Sequence, residues 1–381
     1  MNDRLLASAA VVICAYVVSS LLIFPVRAVA IRLGVMDRPG ARKCHDAPIP
    51  RMGGLAIFGS LVIVISGSLF GLPGLQSSSL SSIFPDSIRT LLQHGSITPR
   101  LWALFAGSLI VTLIGLTDDV MGVGFSPFIK LAGQIIAALV LLGAGIRLDL
   151  FGPIPFLNVF VSLIWIVGIT NSFNLLDNMD GLSSGIALIC ALVFLALVML
   201  KGEFFIALLL CAMIGSILGF YQFNVRGGFI FMGDTGSLLL GFLLGAVSLM
   251  ARYVDAADAS IFPVIAPLII LGLPLFDTMS VILIRLRERR PVFQGDQMHL
   301  SHRLVRMGMT MRQAVVFNYL LAFTIAMNAL LIISSRLLHS FVAIFQVAAL
   351  VAMVSTLMST HQKPGNGSSG SSERQGEHQG R

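Results

Sequence analysis

The chain has 381 residues, of which 56% are hydrophobic and only 11% charged, and its mean hydropathy is +0.92. About a quarter of an average soluble domain is charged, so a water-soluble fold of this size is excluded and the bilayer must solvate much of the surface. The formal net charge of +7 then points to cytoplasmic loops, where Lys and Arg accumulate, and not to nucleic acid.

A crossing helix needs about 20 apolar residues. Eleven such segments are predicted, near residues 5–31, 53–71, 101–118, 129–146, 157–173, 183–200, 204–223, 236–251, 261–285, 313–333 and 338–358. The first is too long for a signal-peptide core and lacks a convincing Ala-x-Ala exit, so it reads as a retained helix. The expected fold is an all-α polytopic membrane protein, with a membrane domain over 1–360. The tail over 361–381 is rich in Gly, Ser, Gln and charge and reads as disordered. An odd number of crossings puts the termini on opposite sides. The face that holds the C-terminus then receives 18 of the 25 Lys and Arg, which makes it cytoplasmic and leaves the N-terminus outside. The connection over 71–100 is external. Cys14, Cys190 and Cys211 lie in apolar runs and read as small buried hydrophobes; with Cys44 they form no zinc or redox spacing.

The cytoplasmic connections hold most of the chemically capable side chains. The first combines Arg42, Lys43 and His45 with Pro48, Pro50 and the pair Gly53-Gly54. The second has Asp118-Asp119 at the end of one span and Lys130 at the start of the next. The third reads Asn171-Ser-Phe-Asn174-Leu-Leu-Asp177-Asn178-Met-Asp180-Gly181. The fourth has Asn224 and then Phe231-Met-Gly233-Asp234-Thr-Gly-Ser237, and the fifth runs from Arg285 to His299-Leu-Ser-His302-Arg303. Adjacent carboxylates repel near hydrocarbon and need a cation, which Lys130 or a metal would supply. Asn174, Asp177 and Asp180 recur every third residue and would share a helical face. Their hard oxygens suit Mg²⁺ or Mn²⁺ better than zinc. Asp234 sits in a Gly-flanked turn at a helix start, where free amides can hold phosphate oxygens. Each feature alone has a plainer reading, as a helix cap, a solvated loop residue or a positive-inside anchor. Their convergence on one face favours a site where a divalent ion meets anionic phosphates.

These motifs resemble the polyprenyl-phosphate N-acetylhexosamine-1-phosphate transferases over roughly residues 37–312. The first-loop pattern is similar to the branch that loads GlcNAc-1-phosphate; Asp118-Asp119, the third-loop signature, Met232-Gly-Asp234 and Pro274-Leu-Phe-Asp277 match in family order. Two positions depart from it. The family commonly has Gly where this chain has Asn178, and His where it has Ser301.

The resemblance implies transfer of HexNAc-1-phosphate, most simply GlcNAc-1-phosphate, from a UDP-N-acetylhexosamine to undecaprenyl phosphate with release of UMP. This would start a cell-envelope glycan on the cytoplasmic face of a bacterial inner membrane. It implies Mg²⁺, with Mn²⁺ as a substitute, held by Asp234 and Asn174. Asp118 would handle the lipid phosphate, while Asp119, Asp177 and Asp180 would shape the nucleotide and metal site. Lys43, His45, Lys130, Asn171, Asn224, His299, His302 and Arg303 would contact substrate. A homodimer is left open. A secondary transporter is the alternative; it would need polar residues at the bilayer midplane, where Asp277 is the main candidate. A CDP-alcohol phosphotransferase is disfavoured, because the remainder of its motif does not follow Asp177-x-x-Asp180-Gly181.

Overall fold

The computed structural model describes residues 2–38, 47–68, 97–152, 154–254, 262–289, 298–333 and 337–360. Lys43 and His45, most of the expected external connection and the tail over 361–381 lie outside the described residues.

In chain order the elements are α1 (Asn2–Leu33), β1 (Met36–Asp37), β2 (Ile49–Pro50), α2 (Gly54–Ser66), α3 (Ile97–Met121), α4 (Pro127–Gly143), α5 (Pro155–Leu176), α6 (Leu182–Leu200), α7 (Phe204–Asn224) and α8 (Gly233–Met250). They continue with α9 (Ala266–Ile270), α10 (Gly272–Arg287), α11 (Leu300–Arg306), α12 (Met311–Ile332) and α13 (Leu337–Thr360). Pro127 and Pro155 open α4 and α5, at the helix position where the missing N–H costs nothing. Thr310 and Gln313 close a reciprocal capping box on α12.

Among the described residues, eight helices are long and apolar enough to cross a membrane: α1, α3, α5, α6, α7, α8, α12 and α13. The helices α2 and α4 are apolar but shorter. The chain is thus a multi-pass membrane protein. The segment expected as a span over 261–285 is bent: Phe262–Ile270 meets Gly272–Arg287 at 70°. Pro274 has no amide to return to the Ile270 carbonyl; that carbonyl instead lies 3.2 Å from the Cys190 thiol.

The interior of the bundle is α7 and α8, whereas α1 and α13 expose large apolar side chains such as Leu21 and Phe345. Gly215 and Gly219 let α1 lie directly on α7, because a methyl at either would overlap the α1 backbone. Ser19 adds a bond to the Ser216 carbonyl at 2.8 Å. Cys190 and Cys211 are buried as expected, but Cys14 is not: it sits on the exposed face of α1. A one-dimensional apolar run cannot tell a lipid-facing position from a core position.

Candidate active site

The ends of α3 and α5 and the starts of α4 and α8 meet at one end of the bundle, and the carboxylates gather there. The close approach is set by glycines. A methyl at Gly54 would overlap the Gly236 backbone, and one at Gly115 would overlap the Asp234 carbonyl, so α2 and α3 press directly against the start of α8.

Asp118 and Asp119 are neighbours on α3, so their side chains point about 100° apart. Asp119 is 7% exposed and turns into α8. It accepts the amides of Asp234 and Thr235, each at 3.0 Å, and the Thr235 hydroxyl at 2.6 Å. The amides expected to be open to phosphate are therefore occupied by a carboxylate of the same chain. Gly233 adopts φ of +71°, and any side chain there would strike Asp119.

Asp118 faces the other way, 2.8 Å from Lys130 Nζ. The same ammonium bonds Asp234 Oδ2, which ties the second loop to the fourth. Asp234 Oδ1 accepts the Asn174 amide at 3.0 Å, and that amide also donates to Ser237 Oγ at 2.9 Å. The cation that Asp118-Asp119 required is thus Lys130, acting on Asp118 and Asp234.

The three-residue repeat of the third loop does not lie on one helical face. α5 stops at Leu176, Asp177 follows its last turn, and Asp180 is exposed in the turn before α6. Burial is the main force pushing the Asp177 carboxyl well above the ordinary range; the charges of Asp234, Asp119 and Asp180 add to it, while Arg51 opposes it. Arg51, itself ion-paired with Asp37, thus acts on Asp177 from the first loop.

Other expected contact residues brace this turn. Asn224 is 5% exposed; its Oδ1 accepts the Gly181 amide at 2.9 Å and its Nδ2 donates to the Ile230 carbonyl at 3.2 Å. Asn171 forms a reciprocal amide pair with Gln134 across α4 and α5. In the fifth loop, His299 Nδ1 lies 2.7 Å from Asp277 Oδ2, and the Leu300 amide donates to Asp277 Oδ1 at 2.6 Å. Asp277, the residue a transporter reading would single out, is thus an anchor for α11. His302 and Arg303 lie partly exposed on that helix. Burial, and then neighbouring Arg306, hold the Arg303 guanidinium below its ordinary value, with Asp277 opposing.

Sequence reading passed over Gly115, Thr235, Gln134 and Tyr319. Tyr319 on α12 donates to the Gly181 carbonyl at 2.5 Å. Gln134 was the one of these with a visible signal: an amide side chain inside an apolar run.

The donor set at this end is aspartates and one asparagine, without thiols. Among the described residues no three His, Cys, Asp or Glu are grouped closely enough to hold a metal unaided. The hard oxygens of the aspartates and Asn174 would fit Mg²⁺, which takes one or two carboxylates and completes its shell with water and substrate phosphate. The crowding of carboxylates around Asp177 supplies the negative charge that such an ion would neutralise.

A carboxylate cluster cross-linked by one lysine thus sits at one end of an apolar bundle. The chain belongs to glycosyl transferase family 4, whose model matches residues 101–252. It is 32% identical to the probable undecaprenyl-phosphate N-acetylglucosaminyl 1-phosphate transferase of Bacillus subtilis, over 93% of this chain and 94% of the relative. It is also 33% identical to a decaprenyl-phosphate N-acetylglucosaminephosphotransferase of Mycobacterium tuberculosis, over 80% of this chain and 77% of that one. With the undecaprenyl-phosphate alpha-N-acetylglucosaminyl 1-phosphate transferase of Salmonella typhi the identity is 29%, over 85% and 83%.

Proposed function

We propose that this protein transfers N-acetylglucosamine-1-phosphate from UDP-GlcNAc to undecaprenyl phosphate, releasing UMP and starting a cell-envelope glycan. The observation that carries this reading is the Asp118–Lys130–Asp234–Asn174 chain at the mouth of the bundle. It is joined by near full-length similarity to relatives named for that reaction.

The lipid phosphate has a second pKa near 6, as other phosphomonoesters do, so it is largely dianionic at neutral pH and needs little help to lose a proton. One of its oxygens attacks the sugar-linked phosphorus, and the bond from that phosphorus to the UMP oxygen breaks. Lys130 is placed to draw the acceptor phosphate toward Asp118. Asp234, kept in orientation by Asn174, is the carboxylate to hold Mg²⁺, with Asp177 beside it. The ion, when bound, neutralises the donor's diphosphate. His302 and Arg303 face the donor from α11.

The proposed topology has eleven crossings: the eight long helices, the bent pair, α2 and α4. It places the N-terminus outside and the site at the cytoplasmic face of the inner membrane, where a cytosolic sugar nucleotide meets the headgroup of a lipid phosphate. The test is a panel of UDP-N-acetylhexosamines offered to purified protein with Mg²⁺ and undecaprenyl phosphate. UMP release with UDP-GlcNAc at the highest kcat/KM is the expected result. Release from another UDP-sugar alone would move the donor assignment, and no release from any would overturn the reading.

A further inference from the structure

Asn178 and Ser301 lie 123 positions apart in sequence, and they touch. Ser301 Oγ donates to Asn178 Oδ1 at 2.8 Å. Asn178 Nδ2 carries the link on to the Leu175 carbonyl at 3.2 Å, in the last turn of α5. Ser301 is 2% exposed, so its hydroxyl depends on a protein partner.

Without the Asn178 side chain the buried Ser301 hydroxyl would lose this partner. The contact also has a definite place in the fold. The start of α11 is anchored on α10 through Asp277, which holds His299 and the Leu300 amide. Ser301 is the next residue, and it ties the same helix to the third loop. The turn on the far side is held at Gly181 by Asn224 and Tyr319.

We propose that the Asn178–Ser301 hydrogen bond is a latch that sets where His302 and Arg303 stand relative to the third-loop carboxylates, and thereby tunes binding of the sugar-nucleotide donor. Both are positioning residues. In catalysis the proposal rests on the transferase reading above; as a docking contact it does not.

The experiment pairs kinetics with hydrogen–deuterium exchange on Asn178→Ala, Ser301→Ala, the double variant and Ser301→Thr. Losing one buried hydrogen bond is expected to raise the donor KM by about three- to tenfold, with kcat nearly unchanged. The double variant should be no worse than either single one, and Ser301→Thr, which keeps the hydroxyl, should behave as the unsubstituted protein. Exchange over residues 298–306 should quicken alike in both alanine variants and in the double. Unaltered exchange there, effects on KM that multiply in the double variant, or a Ser301→Thr as impaired as Ser301→Ala would each overturn the latch. Coupled exchange in a protein that releases no UMP would keep the docking contact and remove the transferase reading.

Discussion

Two adjacent aspartates do two different jobs. Asp119 is spent on the amides of Asp234 and Thr235, so it holds the start of α8, while Asp118 is left to share Lys130 with Asp234. Their neighbourhood in sequence announced a site that needs a cation, yet it could not say which of them faces the helix, because that depends on the rotation of α3 against α8. The same holds for Asn174, Asp177 and Asp180, whose spacing suggested a common face that the end of α5 at Leu176 abolishes. Lys130→Met should lower UMP release by at least about a hundredfold, since it removes the charge shared by two carboxylates; near-normal turnover would show that Lys130 only pairs within the resting protein. Asp177 gives a prediction about pH. Its pKa is raised in the folded state, chiefly by burial and then by Asp234, Asp119 and Asp180. The folded protein therefore keeps a proton that the unfolded chain releases near pH 4, and stability contributed at Asp177 falls as the pH rises above that value. Without divalent ions Asp177→Asn should raise the thermal midpoint at pH 7 to 8. Added Mg²⁺ should stabilise the unsubstituted protein more than the variant. Thermal melts across pH, with and without Mg²⁺, check both.

Helix packing around α8 is set by small residues. Gly54 and Gly115 allow backbone to approach backbone beneath Asp234. Gly54→Ala and Gly115→Ala should each destabilise by at least the roughly 1–3 kcal/mol of ordinary overpacking and should also lower turnover by displacing the Asp234 turn. Gly143→Ala, where a methyl meets nothing within 4 Å, should leave both unchanged. Denaturation in detergent alongside UMP release separates these outcomes, and a harmless Gly115→Ala would contradict the packing described. The helices themselves were legible, since apolar runs of this length have few alternatives in a bilayer. The 70° break at Leu271 was not. Pro274 was visible in the sequence, but a proline inside an apolar run is compatible with a mild kink as well as with a sharp bend. The short α11 was not legible either, because its anchors are side-chain contacts to Asp277, 23 positions away, and Asn178, 123 positions away.

At the scale of the whole molecule, loops separated by long apolar helices converge on one end of the bundle. The second, third and fourth meet directly through Lys130, Asn174 and Asp234, the fifth joins through Ser301, and the first reaches the edge through Arg51. That convergence is what a reaction between a soluble sugar nucleotide and a lipid phosphate requires. The asymmetry was readable in outline from where charge and glycine fall; the connections among the loops were not, because each is a side-chain contact across the bundle. The most direct test of the account is UMP release from UDP-GlcNAc, with undecaprenyl phosphate and Mg²⁺, by the unsubstituted protein and by an Asp234→Asn variant whose folding is checked by its thermal melt. The account predicts steady release by the former and a loss of at least about a hundredfold in the latter. A folded Asp234→Asn protein with full activity, or undiminished release after the divalent ion is chelated, would contradict it.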